Sequence, residues 1–198
     1  AFSTIINPDD RTTAAIFGDG AGAVVLRAGH HAEPGAVGPC VLGSDGEQSG
    51  LIRIPAGGAR QKTTDEPTDR YFQMVGRDTY RHAVERTSAV ALAALKRAGW
   101  APDDVDRFAA HQANARIVDS VADRLGIPES NRLANIEHIG NTAAASVPLL
   151  LAESTVSGAL LPGDRTLLAA FGGGLTWGAT TVIWPEITAL VGVASDAD

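Results

Sequence analysis

Two short motifs carry the side chains best suited to chemistry in this chain. One is His111-Gln112-Ala113-Asn114. The other is Gly140-Asn141-Thr142, which opens the stretch Ala143-Ala144-Ala145-Ser146-Val147-Pro148. Each follows a short apolar-rich segment and leads into a helix-like run. In an α/β sheet, ligands collect at the carboxyl ends of strands, where loops enter helices. An imidazole and a carboxamide at the same end of a sheet suit the binding and polarising of a carbonyl oxygen. The carboxamide donates without any acid–base step. Asn141 also suits a plain helix cap, but Thr142 or Ser146 can serve there and leave it free. A third candidate is the turn Gly172-Gly173-Gly174. Glycine lets backbone N–H groups come close to a reacting oxygen, and the same residues make a tight hairpin.

Other polar or glycine-rich stretches read as structure. Gly18, Gly20 and Gly22 are evenly spaced before a strand-like run. A dinucleotide loop needs Gly-x-Gly-x-x-Gly opening a helix, so that reading is rejected. Cys40 lies in the apolar run 38–42 with nothing basic beside it. It reads as a packing residue and not as an activated thiol. His30 and His31 have no cysteine or acidic partner at ligand spacing, so neither a metal nor another cofactor is expected. Asp65-Glu66 and Asp103-Asp104 read as solvated loops.

Strand-like and helix-like segments alternate around these groups. Strands are expected at Thr12–Phe17, Ala23–Arg27, Val37–Gly43, Gly50–Ile54, Val105–Ala110, Thr166–Phe171 and Ala179–Ile183. The longest helix is expected from about Tyr71 to Ala98, ended by Gly99. Val84, Ser88, Leu92 and Leu95 share one of its faces, with Ala91 beside them. Asn114 caps a second helix ending near Leu125-Gly126, with Ile117, Val121 and Leu125 as its stripe. A third begins near Asn141 or Thr142 and ends near Gly158, with Pro148 marking a bend or the first turn. Residues 29–36 read as a linker, 55–69 as a loop and 185–198 as a tail. This alternation argues for an α/β fold with helix-covered sheets.

Composition agrees. The chain has 198 residues, of which 44% are apolar and 20% charged, enough for a sizeable core. A net charge of −7 argues against a general nucleic-acid partner. One cysteine fits a reducing cytoplasm. No run of about eighteen apolar residues occurs, so no membrane span is expected. The N-terminus has no initiator Met and no signal-peptide pattern, and reads as a chain entered part-way along. There is also an internal echo: residues 14–25 resemble 168–181, each reading as strand, Phe-Gly-x-Gly turn, Gly-Ala, strand. It points to two related halves.

The residues 111–117, 140–148, 171–178 and 17–23 together resemble β-ketoacyl-ACP synthase III, in order, over about Asn7 to Ile183. The resemblance implies a thiolase-like fold, layered α-β-α-β-α with two pseudo-duplicated halves. Residues 1–35 would be the terminal strands of the N-terminal half and a linker, and 36–184 the C-terminal half. It implies a decarboxylative condensation of an acyl-CoA starter with malonyl-ACP, initiating fatty-acid or polyketide synthesis. His111 and Asn141 would stabilise charge on the malonyl thioester oxygen, and Gly173 would supply an oxyanion N–H. Gly76, Asn114 and Phe171 match positions near the pantetheine arm, and Arg81, Arg116 and Arg124 match those that dock the acidic carrier protein. The sequence departs at Arg77, where an Asn is common, and at Asp123, where a Lys is common. The family's nucleophilic Cys lies upstream of the Phe17-Gly18-Asp19-Gly20 motif. The resemblance therefore implies dependence on an N-terminal half beyond these residues, and a homodimer. Two alternatives stand beside it: a same-fold acyltransferase to an oxygen or nitrogen nucleophile, and a non-catalytic dimer partner.

Overall fold

The computed structural model describes residues 1–192. Its regular elements are α1 (Arg11–Ala14), β1 (Val41–Ser44), β2 (Ile52–Arg53), β3 (Gln73–Met74), α2 (Gly76–Ala98), β4 (Arg107–Ala110), α3 (Ala115–Leu125), α4 (Ile136–Ile139), α5 (Ser146–Ser157), β5 (Arg165–Gly172) and β6 (Thr176–Ile183). Four strands form one sheet in the order β1-β6-β5-β4. β4 and β5 run parallel, while β6 runs antiparallel to both β5 and β1. The parallel pair needs a long crossover, and α3, α4 and α5 supply it.

Side chains alternate across the sheet, as strand geometry requires. Phe108, Leu167 and Ala169 face α2 and α3, where they meet Val84, Leu95, Val121 and Leu125. Ala109 and Leu168 face the other way, toward Leu133, Leu150, Leu151 and Trp184. The described chain is therefore a helix–sheet–helix sandwich. Each fully buried side chain such as Leu95, Phe108 or Leu167 contributes about 1.5–3 kcal/mol.

The helices end as their residues dictate. Gly99, Gly126 and Gly158 follow α2, α3 and α5 with positive φ, the C-terminal geometry glycine favours. Pro148 falls in the first turn of α5, where its missing N–H costs nothing.

Several expectations are corrected. Residues 12–17 do not form a strand. The Asp10 carboxylate accepts from the Thr12 N–H and from Thr13 Oγ1, starting the short helix α1. Only Phe17 pairs, through an isolated bridge to Asn141. Residues 23–27 pair with nothing in the described chain, and Val25 is 95% exposed. The echo is thus not repeated as a second hairpin here. The strand expected at 37–43 begins at Val41, and that at 50–54 shrinks to β2, preceded by a 3₁₀ stretch over Gly46–Leu51. The long helix starts at Gly76 and not near Tyr71, because Gln73–Met74 pair with β2. The 55–69 loop carries a 3₁₀ turn at Pro67–Arg70. Leu92 is exposed at 45%, off the buried face of α2. Cys40 is exposed and outside any strand. Residues 185–192 form no regular element, and 193–198 lie outside the described residues.

Candidate functional site

β4 delivers His111. Its ladder with β5 continues one step, the His111 N–H donating to the Ala169 carbonyl at 2.8 Å. The chain then turns tightly, with the Ala113 N–H on the His111 carbonyl at 2.9 Å. Asn114 caps α3 through the Arg116 N–H at 2.9 Å, as its side chain suits. His111 is thereby fixed between a strand end and a helix start.

Gln112 points away from the cavity into the core and is fully buried. Its Nε2 donates to the Ala110 carbonyl at 2.9 Å, and its Oε1 accepts from the Asn135 N–H at 3.2 Å. Asn135 in turn donates to Glu153 on α5 at 2.8 Å. This chain of bonds ties the loop to α4 and α5. Gln112 is a scaffold residue and not a site residue.

His111 Nδ1 lies 2.5 Å from Ser146 Oγ. The same oxygen accepts from the Gln112 N–H at 3.3 Å. Burial pushes the imidazole pKa down from 6.5 to about 4, because a cation is poorly solvated among packed atoms. At neutral pH the ring is therefore uncharged.

Asn141 is held at both ends of its own residue. Its N–H donates to the Ile16 carbonyl at 2.9 Å, and its carbonyl accepts from the Gly18 N–H at 3.0 Å. The side-chain Oδ1 accepts from the Ala143 N–H at 2.9 Å. Nδ2 makes only a long 3.5 Å contact to the Ala113 carbonyl, which links the two motifs. The amide oxygen is committed, so the amide nitrogen is the free donor. Two glycines permit this docking. A Cβ on Gly18 would collide with the Ile139 carbonyl, and Gly140 sits at φ +77° against Ile16 and Gly18.

A cavity of about 610 Å³ gathers the site. His111, Asn141, Asn114, Gly76, Phe171 and Gly173 all line it. Gly173 is in the β5–β6 turn, which Asp45 and Leu175 pin through two backbone bonds of 2.8 Å. Phe171 stacks along Trp177 with ring centroids 6.5 Å apart. An aromatic cluster of Phe2, Phe17 and Phe72, with centroids 4.6 to 5.4 Å apart, also lines the cavity. The arrangement can hold a flexible apolar-walled chain and offer two nitrogen donors at its reacting end.

The three arginines stand outside this lining. Arg81, Arg116 and Arg124 are all exposed. Positions 116, 120 and 124 share one stripe of α3. Ser120 on that stripe bonds Tyr80 of α2 at 2.7 Å, next in sequence to Arg81. The three cations therefore flank one helix pair. Asp123 does not simply oppose them, because Arg132 engages it at 2.6 Å.

A second, more open cavity of about 630 Å³ shares His111, Ala143 and Phe171 with the first. Cys40 also lines it. It leads into β1, and β6 and β5 intervene before β4 and His111. Three strand spacings amount to roughly 14 Å. Cys40 is thus no partner for the imidazole.

Three features of the site are not marked as such by the sequence. Ser146 reads there as a helix cap. Phe2 and Phe72 carry no periodic signal. Thr79 and Thr87, both buried on the cavity wall, leave their hydroxyls without a partner among the described residues. Their spacing from Ala83, one turn either way on α2, was the available signal.

Comparison with known proteins gives consistent matches. Residues 95–184 match the family model for the C-terminal part of 3-oxoacyl-(acyl-carrier-protein) synthase III, and residues 1–46 match the model for 3-oxoacyl-(acyl-carrier-protein) synthase III itself. The chain is 54% identical over 192 residues to β-ketoacyl-(acyl-carrier-protein) synthase III 5 of Streptomyces coelicolor, covering 96% of this chain and 58% of that protein. It is 45% identical over 186 residues to the β-ketoacyl-(acyl-carrier-protein) synthase III of a Roseiflexus species, covering 92% and 56%. The crystal structure of 3-oxoacyl-(acyl carrier protein) synthase III from Pseudomonas aeruginosa superposes with a TM-score of 0.87 at 43% identity, covering 94% of this chain and 56% of that one. A priming β-ketosynthase from a polyketide biosynthetic pathway superposes at 0.78 with 32% identity, covering 93% and 55%. The chain spans little more than half the length of these relatives. The superpositions establish the layered thiolase-like α/β fold. No helix among the described residues is long and apolar enough to cross a membrane.

Proposed function

The chain belongs to the 3-oxoacyl-(acyl-carrier-protein) synthase III family, and from that premise we propose that it carries the decarboxylating half of a condensing site. The reaction is the condensation of an acyl-CoA starter with malonyl-ACP to a β-ketoacyl-ACP, the entry step of fatty-acid or polyketide synthesis. One observation carries the reading: a neutral imidazole and a free carboxamide donor line the same cavity.

The steps follow from those donors. A cysteine thiolate attacks the acyl-CoA carbonyl, and the CoA thiol leaves. Malonyl-ACP then enters with its pantetheine arm along Gly76, Asn114 and Phe171. Its carbon–carboxylate bond breaks, carbon dioxide departs, and the electron pair moves onto the thioester oxygen. His111 and Asn141 donate to that oxygen as its charge develops. The enolate carbon attacks the acyl-cysteine, and the tetrahedral oxygen is held by the Gly173 N–H until the thiolate leaves. The imidazole suits this role because it donates while uncharged and need not be deprotonated first.

The nucleophile belongs, on this reading, to an N-terminal half outside the 198 residues. The distance of Cys40 from His111 supports that assignment, as does the length of the relatives. Residues 1–35 then complete that half, and 36–184 form the other. The exposed Arg81, Arg116 and Arg124 flank one helix pair and suit an acidic carrier protein, whose approach they would steer. A homodimer acting in the cytoplasm completes the proposal.

The test uses the full-length protein with a labelled acyl-CoA and malonyl-ACP, followed by mass spectrometry and carbon dioxide release. The reading expects a β-ketoacyl-ACP, with carbon dioxide released in equal amount. Acyl transfer to an oxygen or nitrogen acceptor without carbon dioxide release would replace it with the acyltransferase reading.

A further inference from the structure

Ser146 is the first residue of α5 and is 1% exposed. Its hydroxyl touches two groups. The Gln112 backbone N–H, at 3.3 Å, can only donate, so it occupies a lone pair of Oγ. The hydroxyl proton must then find an acceptor of its own. Among the described residues the remaining contact of Oγ is His111 Nδ1 at 2.5 Å. A neutral imidazole has one N–H and one bare nitrogen, and the partner of one nitrogen decides where the proton sits. With Nδ1 accepting from Ser146, the ring proton lies on Nε2. That nitrogen makes no hydrogen bond to the described protein and is not among its buried unpartnered atoms. His111 as a residue lines the cavity that it shares with Asn141.

We infer that Ser146 is a positioning residue that holds His111 in its Nε2–H tautomer, so that the imidazole presents a donor to the substrate oxygen. The inference rests on the proposed role of His111. Gln112 serves the same end from behind. Its backbone N–H orients the serine oxygen, and its side chain anchors the loop to Asn135. The device needs no carboxylate behind the imidazole. A carboxylate would favour the cation, whereas a hydroxyl fixes the tautomer and leaves the ring neutral.

Two measurements on the full-length protein decide it. Histidine-labelled wild type at pH 7 is examined by long-range ¹H–¹⁵N correlation, assigned with His111→Gln. The Nε2–H pattern supports the inference, and an Nδ1–H pattern overturns it. In parallel, Ser146→Ala and Ser146→Thr are assayed for acyl loading and for malonyl-ACP decarboxylation. Loss of the partner that orients a metal-bound histidine costs about 10–100-fold, and a loss of similar size is expected for this unmetallated ring. Ser146→Ala should lose that much kcat in decarboxylation, with KM and acyl loading nearly unchanged, and Ser146→Thr should recover most of it. Equal losses in both half-reactions, or no loss in decarboxylation, would overturn the inference. Failure of the functional reading looks different: His111→Gln would then decarboxylate as well as wild type, whatever tautomer the spectrum shows.

Discussion

Replacing Asn141 with alanine removes one of two proposed donors to the enolate oxygen. Loss of a single oxyanion donor costs about 3–4 kcal/mol of transition-state stabilisation, or about 10²–10³ in rate. The substitution also has a structural effect that can be worked out separately. Asn141 Oδ1 is the acceptor for the Ala143 N–H at 2.9 Å, and Ala143 sits at φ +52°. Leaving that partly buried N–H unpaired costs at most about 1–3 kcal/mol of stability. Asn141→Asp separates the two effects. The carboxylate keeps an acceptor for Ala143, so the turn survives, but it has no N–H for the substrate and repels the developing charge. Both variants should lose decarboxylation by at least about a hundredfold, and both should melt earlier, the alanine variant because Ala143 loses its acceptor and the aspartate variant because a carboxylate replaces a buried carboxamide beside the Ala113 carbonyl. The assay is release of labelled carbon dioxide from malonyl-ACP, measured beside acyl-enzyme formation from labelled acyl-CoA and a thermal melt. Acyl loading should stay within a few-fold of wild type. Retained decarboxylation in Asn141→Asp, or equal losses in loading and decarboxylation, would rule out Asn141 as a donor to the enolate oxygen.

The pKa of His111 lies at about 4, below its ordinary 6.5. The native state therefore binds fewer protons than the unfolded chain between those values, and stability falls as pH drops through that window, by about 3 kcal/mol in all. It is flat with respect to this group above pH 6.5. Denaturant unfolding at several pH values should show this contribution in wild type and not in His111→Gln; identical pH profiles would contradict it. Gly18→Ala forces a Cβ onto the Ile139 carbonyl, so the melting temperature and decarboxylation should fall together, with about 1–3 kcal/mol of overpacking cost. An unchanged melt would argue against the docking of residues 16–18 on Asn141. Charge reversal at Arg81, Arg116 and Arg124 should raise KM for malonyl-ACP by tenfold or more and flatten its salt dependence. KM for acyl-CoA should stay near wild type, and a parallel rise there would remove the carrier-docking role.

Local chemistry explains which parts were legible in the sequence. Asn114 before an amphipathic run and Gly126 after it bound α3 on both sides, and the structure ends the helix at those residues. The same holds for Gly99 and Gly158. What failed was decided by a local cap or by pairing at a distance. Thr12–Phe17 has the β-branched and aromatic content of a strand, but Asp10 nucleates a helical turn and only Phe17 finds a partner, Asn141. The start of α2 was displaced because Gln73–Met74 are taken by β2, a pairing set by tertiary contact. Cys40 sits in apolar sequence yet lies exposed at the lead into β1, the edge strand of the sheet. Within the site, the motif residues were visible because loops between strands and helices carry compact signatures. The partner of His111 was not. Ser146 is 35 positions away, and its hydroxyl meets the imidazole only once the crossover from β4 to β5 has folded back. The aromatic wall was equally hidden, because Phe2, Phe17 and Phe72 meet from three separate segments.

Decarboxylation at this site needs one oxygen shared by two nitrogens. The most direct measurement is a crystal structure of the full-length protein with a malonyl thioester analogue that cannot lose carbon dioxide. Its thioester oxygen should lie within about 2.7–3.1 Å of both His111 Nε2 and Asn141 Nδ2. An analogue bound in the cavity with that oxygen on other groups, and either nitrogen turned away, would contradict it.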